Sequence, residues 1–311
     1  MPKHAGEWQQ YMVYTAQALV MLPAAVALLA MWAVMRGPHV QATILAMVIG
    51  AFAGFFFVLA YWATGMTHPN AIAGLIPWND AGAYMACARE LLAGAPLPQD
   101  CSMRPYYVAE FATFLAASGG HVQVALLLQS ALLAGASGWF ANRVARHGGV
   151  AAGLAVFAVL QVFIMQFALP VLTENAGLLL GMLAIAILFT RSASIAPPVF
   201  MIAMAILALA LNARAGAMLV LPGLLAWSAA LSDGDLRQRM VRSLYGVGGI
   251  VLALVYNFGF SHVFGGTVEQ THSNFAYTFY ALSAGKSTYL QVYFDHPEIN
   301  ALSPVEARSL M

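Results

Sequence analysis

Two carboxylates and two guanidinium groups stand at the margins of long apolar runs, where a charged side chain needs water, a partner or a task. Asp80 opens WNDAGAYMACARELLAGAP, Glu174 lies in FALPVLTENAGLLLGMLA, Arg104 precedes Pro105, Tyr106 and Tyr107, and Arg214 separates two apolar segments. A carboxylate can take the proton of an acceptor hydroxyl, and an arginine fork can hold a phosphate and offset the charge that develops on it. Together they suit glycosyl transfer from a lipid phosphate. Asp80 is then the base, Glu174 its helper or a metal ligand, and Arg104 and Arg214 the phosphate binders. Because such a donor keeps its lipid tail in the bilayer, the site belongs at the membrane edge.

Each residue also has a plainer alternative. Asp80 can be a helix-start acid in a solvated loop, and Glu174 a first-turn acid behind a Thr173 cap. Arg214 can snorkel to lipid headgroups. A divalent metal held by Asp80 and Glu174 stays open, although no His-rich or multi-carboxylate cluster accompanies them.

The elements that must position these residues follow from local pattern. Asn79 is the expected N-cap of a short helix from Asp80 to Leu92 that stops at Gly94. Ala81, Tyr84, Met85, Ala88, Leu91 and Leu92 share one side, and Asp80, Ala83, Cys87 and Glu90 another, as in a helix lying along a membrane surface with its apolar face in the headgroups. Pro105 to Ser118 forms a second helix, too short and, with Glu110, too acidic to span alone.

Hydrophobic residues make up 61% of the 311 and charged ones only 8%, with a mean hydropathy of +0.77. Apolar runs recur at about 12–35, 42–63, 121–141, 149–169, 174–190, 198–212, 216–232 and 244–261. The fold class expected is therefore an all-α polytopic membrane protein of about eight transmembrane helices, with juxtamembrane helices in its first large loop. The first run follows only ten polar residues and lacks a small-residue cleavage site, so it reads as a retained span. A net charge of +1 gives no case for nucleic acid.

Orientation rests on the short loops. If 42–63 runs outward, the inside loops carry Arg36, Arg143, Arg146, Arg191, Arg237, Arg239 and Arg242, seven of the thirteen basic residues. Ten of the twelve acids then lie outside, all but Asp233 and Asp235. That choice puts Asp80, Arg104, Glu174, Arg214 and the tail from Ser261 on one face, and it requires 105–118 not to cross.

The order WNDAGAYMACARELLAGAP then RPYYVAEF resembles the first external loop of the GT-C membrane glycosyltransferases. It is most similar to the branch of dolichyl-phosphate-mannose protein mannosyltransferases and bacterial aminoarabinose transferases. In that family a loop acid, followed by a tyrosine on a short amphipathic helix, supplies the catalytic carboxylate; Asp80 and Tyr84 match. Arg104 before Pro105 matches the basic residue that opens the next juxtamembrane helix. Glu174 matches a second acid at the head of a span, and Arg214 a basic residue at the outer turn of a later hairpin. The resemblance implies catalysis by Asp80 and Glu174 and binding of the donor phosphate by Arg104, Arg214 and Tyr84. The implied partners are a polyprenyl-phosphate-linked sugar, the lipid bilayer and a glycan, lipid or protein acceptor, at the outer face of a bacterial inner membrane. It covers 42–260, with 1–41 an additional N-terminal transmembrane helix and 64–120 the external loop. One acid at Asp80 stands where some members carry two, which weakens a metal role.

The tail, 261–311, reads as a lid with His272, Asn274, Tyr277 and Lys286 toward the acceptor, as the start of a missing C-terminal region, or as an ordinary external loop. Cys87 and Cys101 share the first external loop and can form a disulfide; the alternative is two free thiols. Two other functions remain compatible with the composition. A transporter or flippase would place charges near mid-bilayer and show repeat symmetry. A non-catalytic scaffold would display the loop and tail to a partner.

Overall fold

A computed structural model describes residues 24–65, 69–72, 74–97, 101, 104–167, 170–188, 195–213, 220–230, 234–264, 273–286 and 291–301. The helices are α1 (Ala24–Met35), then α2 (His39–Thr64), α3 (Asn79–Leu92), α4 (Pro105–Ala117), α5 (Val122–Gly148), α6 (Val150–Phe167) and α7 (Thr173–Leu188). α8 (Pro197–Ala213), α9 (Val220–Ala230), α10 (Leu236–Val263), α11 (Ser273–Ser283), α12 (Gln291–Asp295) and a 3-10 turn at Pro297–Ala301 complete the order. A hairpin of two-residue strands, β1 (Ala71–Ile72) and β2 (Ile76–Pro77), pairs antiparallel just before α3.

Among the described residues four helices, within α2, α5, α6 and α10, are long and apolar enough to cross a membrane. α1, α7, α8 and α9 coincide with the other apolar runs but are shorter. The 16 residues of α7 rise about 24 Å, less than a hydrocarbon core of about 30 Å. The first half of the run at 12–35 lies outside the described residues.

Small residues let the long helices approach. α2 and α5 cross antiparallel through Ala46, Gly50 and Gly54 against Ala134, Gly135 and Gly138. A Cβ on Gly50 would collide with the Ala134 carbonyl, and one on Gly138 with that of Ala46. Without a hydrophobic drive between helices in lipid, such contact and a few hydrogen bonds supply the cohesion. Here the bonds are Ser130 Oγ to the Gly54 carbonyl at 3.3 Å, Asn142 Nδ2 to Thr43 Oγ1 at 3.3 Å and, between α6 and α5, Gln161 Nε2 to Ser137 Oγ at 2.8 Å. α8 and α10 run parallel, with Gly246 against the Phe200 ring and Gly249 against the Met201 backbone. The outward faces of α2 and α10 remain apolar and exposed, through Ile44, Val48 and Phe52 and through Val251, Leu254 and Phe258.

The bundle has two distinct ends. At one, arginines bind loop and helix-end carbonyls: Arg146 to Gly37 at 2.8 Å, Arg239 to Ala230 at 2.8 Å and Arg242 to Ile195 at 3.0 Å. Arg36 there lies over the Trp32 ring, 3.8 Å from its centroid. At the other end sit α3 and α4, with the start of α7 and the ends of α8 and α10 packed around α4.

Candidate active site

The loop that delivers Asp80 is tied to α2 and to itself. Trp62 Nε1 donates to the Gly74 carbonyl at 2.7 Å, and Trp78 N to the Asn70 carbonyl at 3.0 Å. Asn79 does not cap α3. Its side chain donates to the Pro69 carbonyl at 2.7 Å, and it begins the helix with φ +48°, a left-handed conformation that asparagine tolerates. Trp78 occupies the cap position. Asp80 falls in the first turn and is exposed, and α3 ends at Leu92 before Gly94 at φ +72°.

The apolar side of α3 is not turned to headgroups as expected from its amphipathic pattern. Ala81 and Ala88 are fully buried with Tyr107, Phe111 and Leu115 of α4 in one cluster. Cys87, assigned to the polar side, is buried as well because it is joined to Cys101 in a disulfide with Cα atoms 5.5 Å apart. Leu97, Val108 and Phe260 of α10 pack around that bridge, and Leu97 N donates to the Phe264 carbonyl at 2.8 Å. A second helix therefore covers the face that lipid was expected to cover.

Arg104 holds the cap position of α4, half-buried, and its carbonyl accepts from Val108 N at 3.2 Å. Pro105 follows at the first turn, where its missing N–H costs nothing. Glu174 is half-buried in the first turn of α7 and accepts from the Thr173 hydroxyl at 3.2 Å. Ala81, Ala176 and Ala213 are buried in the same cluster around Tyr107 and Phe111. These three lie next to Asp80, two residues after Glu174 and immediately before Arg214 in the chain. Arg214 itself is outside the described residues. Tyr84 reaches the same place, its ring 5.3 Å from that of Tyr107 and perpendicular to it.

The sequence reading used Glu110 only to keep α4 out of the membrane. The structure places it one turn from Tyr106 and Tyr107, with a buried Oε2 that has no hydrogen-bond partner among the described residues. Burial pushes its carboxyl up to about 7. Burial, then the Glu110 charge, raises both tyrosine hydroxyls, Tyr107 also feeling Tyr84 and Glu174. Asn175 approaches the Tyr107 hydroxyl without completing a well-formed hydrogen bond, and that hydroxyl has no other partner among the described residues. An acid within an otherwise apolar helix beside two tyrosines was the available signal.

The tail residues fare differently. His272 lies outside the described residues, as does the Asn274 side chain. Tyr277 is buried with Val292, Ile299, Tyr280 and Tyr293 in a cluster formed by the tail. Lys286 is exposed and acts electrostatically on Asp295. Among the described residues no three His, Cys, Asp or Glu side chains gather to hold a metal ion. Asp80 and Glu174 stand on separate helices, and among the described residues no third such side chain joins them. Comparison with protein-family models, with curated proteins and with solved structures finds no match in any of the three.

Proposed function

We propose that the chain is a GT-C-type membrane glycosyltransferase that moves a sugar from a polyprenyl-phosphate donor to a hydroxyl acceptor at the outer face of a bacterial inner membrane. The observation that carries this reading is the single cluster into which Ala81, Ala176 and Ala213 pack. Those alanines lie within two residues of Asp80, Glu174 and Arg214 in the chain, and Arg104 caps the helix on which they pack, which supports this reading. Asp80, exposed at the head of α3, takes the acceptor proton as the acceptor oxygen attacks the anomeric carbon. The bond from that carbon to the phosphate oxygen breaks, and Arg104 and Arg214 stabilise the departing polyprenyl phosphate. Glu174 orients the acceptor. No step runs through a metal.

In this reading all eight apolar helices enter the bilayer, the shorter ones beside longer neighbours, and the arginine end faces the cytoplasm. The Cys87–Cys101 disulfide supports an oxidising compartment for the opposite end. The test is turnover of radiolabelled polyprenyl-phosphate sugars by the purified full chain with a panel of hydroxyl acceptors. Release of polyprenyl phosphate coupled to acceptor labelling is the expected result; no release across the panel would refute the assignment.

A further inference from the structure

The hairpin that leads into α3 has two unlike faces. Ala71 pairs across it with Pro77, and Ile72 with Ile76. Successive side chains of a strand point to opposite sides, so each pair marks one face. Ala71 and Pro77 are buried, whereas Ile72 and Ile76 are exposed. Leu75 in the turn and Trp78 just after β2 are exposed as well. A hairpin with one face in water ordinarily carries polar residues on that face. Here the segment from Pro69 to Asn79 contains no charged residue, and the exposed side chains include two isoleucines, a leucine and a tryptophan.

The patch is held by its own backbone and by the neighbouring helices. The carbonyls of Pro69, Asn70 and Ile72 accept from Asn79 Nδ2 at 2.7 Å, Trp78 N at 3.0 Å and Leu75 N at 3.0 Å. Those of Gly74 and Leu75 accept from Trp62 Nε1 of α2 at 2.7 Å and Gln123 Nε2 of α5 at 3.5 Å. Pro77 brings no N–H that needs a partner. Backbone groups bonded within the protein can enter a region poor in water.

The position of the hairpin says what covers its outer face. Ala71 packs in a cluster with Val58, Tyr61 and Trp62 of α2 and Leu127 of α5. The apolar span in α2 ends at Ala63, and that in α5 begins at Val122. Val58 and Leu127 therefore lie about 8 Å inside the ends of two spans, at about 1.5 Å of rise per residue. The hairpin folds back alongside these helices instead of projecting beyond them. Side chains at an interface reach about 5–10 Å into the boundary between headgroups and acyl chains, which is the same depth. The lipid-facing side of α2 leads up to this level through the exposed Phe52 and Phe55. Tyr61, Trp62 and Trp78 are of the residue types that collect at it.

We propose that Ile72, Leu75, Ile76 and Trp78 insert into the lipid of the leaflet at the loop end and anchor the first loop there. Asp80 follows Trp78 by two residues, so the anchor sets the depth at which α3 begins. The proposal rests on α2 and α5 crossing the membrane and is independent of glycosyl transfer.

The experiment uses the full chain in phosphatidylcholine–phosphatidylglycerol nanodiscs with the native disulfide intact. Ile72→Cys, Ile76→Cys, Phe52→Cys and Ala93→Cys each carry one nitroxide. Spin relaxation by oxygen, which concentrates in lipid, is compared with relaxation by a water-soluble nickel chelate. The hairpin sites are labelled one at a time, so three of the four apolar side chains remain in each sample. Both hairpin labels should report a depth of about 5–10 Å, with Phe52 deeper and Ala93 open to nickel. Either hairpin label as open to nickel as Ala93, beside a deep Phe52, overturns the anchor alone. Shielding of the hairpin labels from both reagents also overturns it, because protein, a second copy or another partner, then covers the patch. A Phe52 label open to nickel refutes the crossing by α2 and ends the proposal with it.

Discussion

The Tyr84 ring stands perpendicular to the Tyr107 ring at 5.3 Å, and this contact is where the helix carrying Asp80 meets the helix that organises the whole loop end. Tyr107 is fully buried, and Asn175 approaches its hydroxyl without completing a well-formed hydrogen bond. Its ring and its oxygen therefore make opposite predictions. Tyr107→Ala removes a large buried ring and should destabilise the protein by about 3–5 kcal/mol. Tyr107→Phe removes a hydroxyl that has no well-formed hydrogen bond among the described residues and should change stability by less than about 1 kcal/mol. Thermal unfolding of the two variants in detergent checks this; a large loss in Tyr107→Phe would mean that the hydroxyl is paired.

Glu110 predicts a pH dependence. Its folded-state value, about 7, lies above the ordinary 4.5 because burial disfavours the charged form. The folded protein thus holds a proton that the unfolded chain releases between about 4.5 and 7, and stability falls as pH rises through that window. The full penalty, reached above neutrality, is at most about 3 kcal/mol. Melting temperatures measured from pH 4.5 to 7.5 should decline in the wild type more than in Glu110→Gln. Parallel curves for the two proteins would contradict it.

The disulfide closes a loop between α3 and the Arg104 turn, 14 residues from one cysteine to the other. Restricting the unfolded chain in this way contributes roughly 3 kcal/mol in the entropy account. Replacing both Cys87 and Cys101 with alanine should therefore lower the melting point and loosen α3 while the bundle survives. Denatured, unreduced protein should show no reactive thiol. Two thiols per chain would rule the bridge out.

Sidedness is testable by single added cysteines with the native bridge intact. Ala93→Cys and Ala284→Cys, both exposed at the loop end and in the tail, should react with an impermeant maleimide in intact cells. His147→Cys and Gln238→Cys, exposed at the arginine end, should react only after permeabilisation. The reverse pattern would invert the proposed topology.

Hydropathy made the apolar helices legible because burial in lipid and burial in the bundle demand the same residues. For that reason it did not distinguish a full crossing from the shorter α7, α8 and α9. Local punctuation gave α3 its end at Gly94 and α4 its start at Pro105. Asn79 misled because its cap preference competes with a second option, a left-handed turn secured by Pro69 from the preceding loop. The covering of α3 by α4, the role of Glu110 beside Tyr106 and Tyr107, and the burial of Tyr277 in the tail all depend on residues distant in the chain. Periodicity within one segment carries no information about them.

Asp80 bears the central claim, since it is exposed, lies at a helix start and is read as the base. Asp80→Asn preserves size and hydrogen bonding and removes only the negative charge and basicity. The decisive measurement is turnover of the polyprenyl-phosphate sugar by purified Asp80→Asn beside the wild type, with donor binding and melting point recorded on the same samples. A catalytic Asp80 predicts folded protein that binds donor while turnover drops 10²- to about 10⁴-fold, the usual loss of a positioned base. Turnover above about a tenth of wild type, with a melting point lowered by the roughly 1 kcal/mol of a lost first-turn acid, would contradict the account and move the base to Glu174.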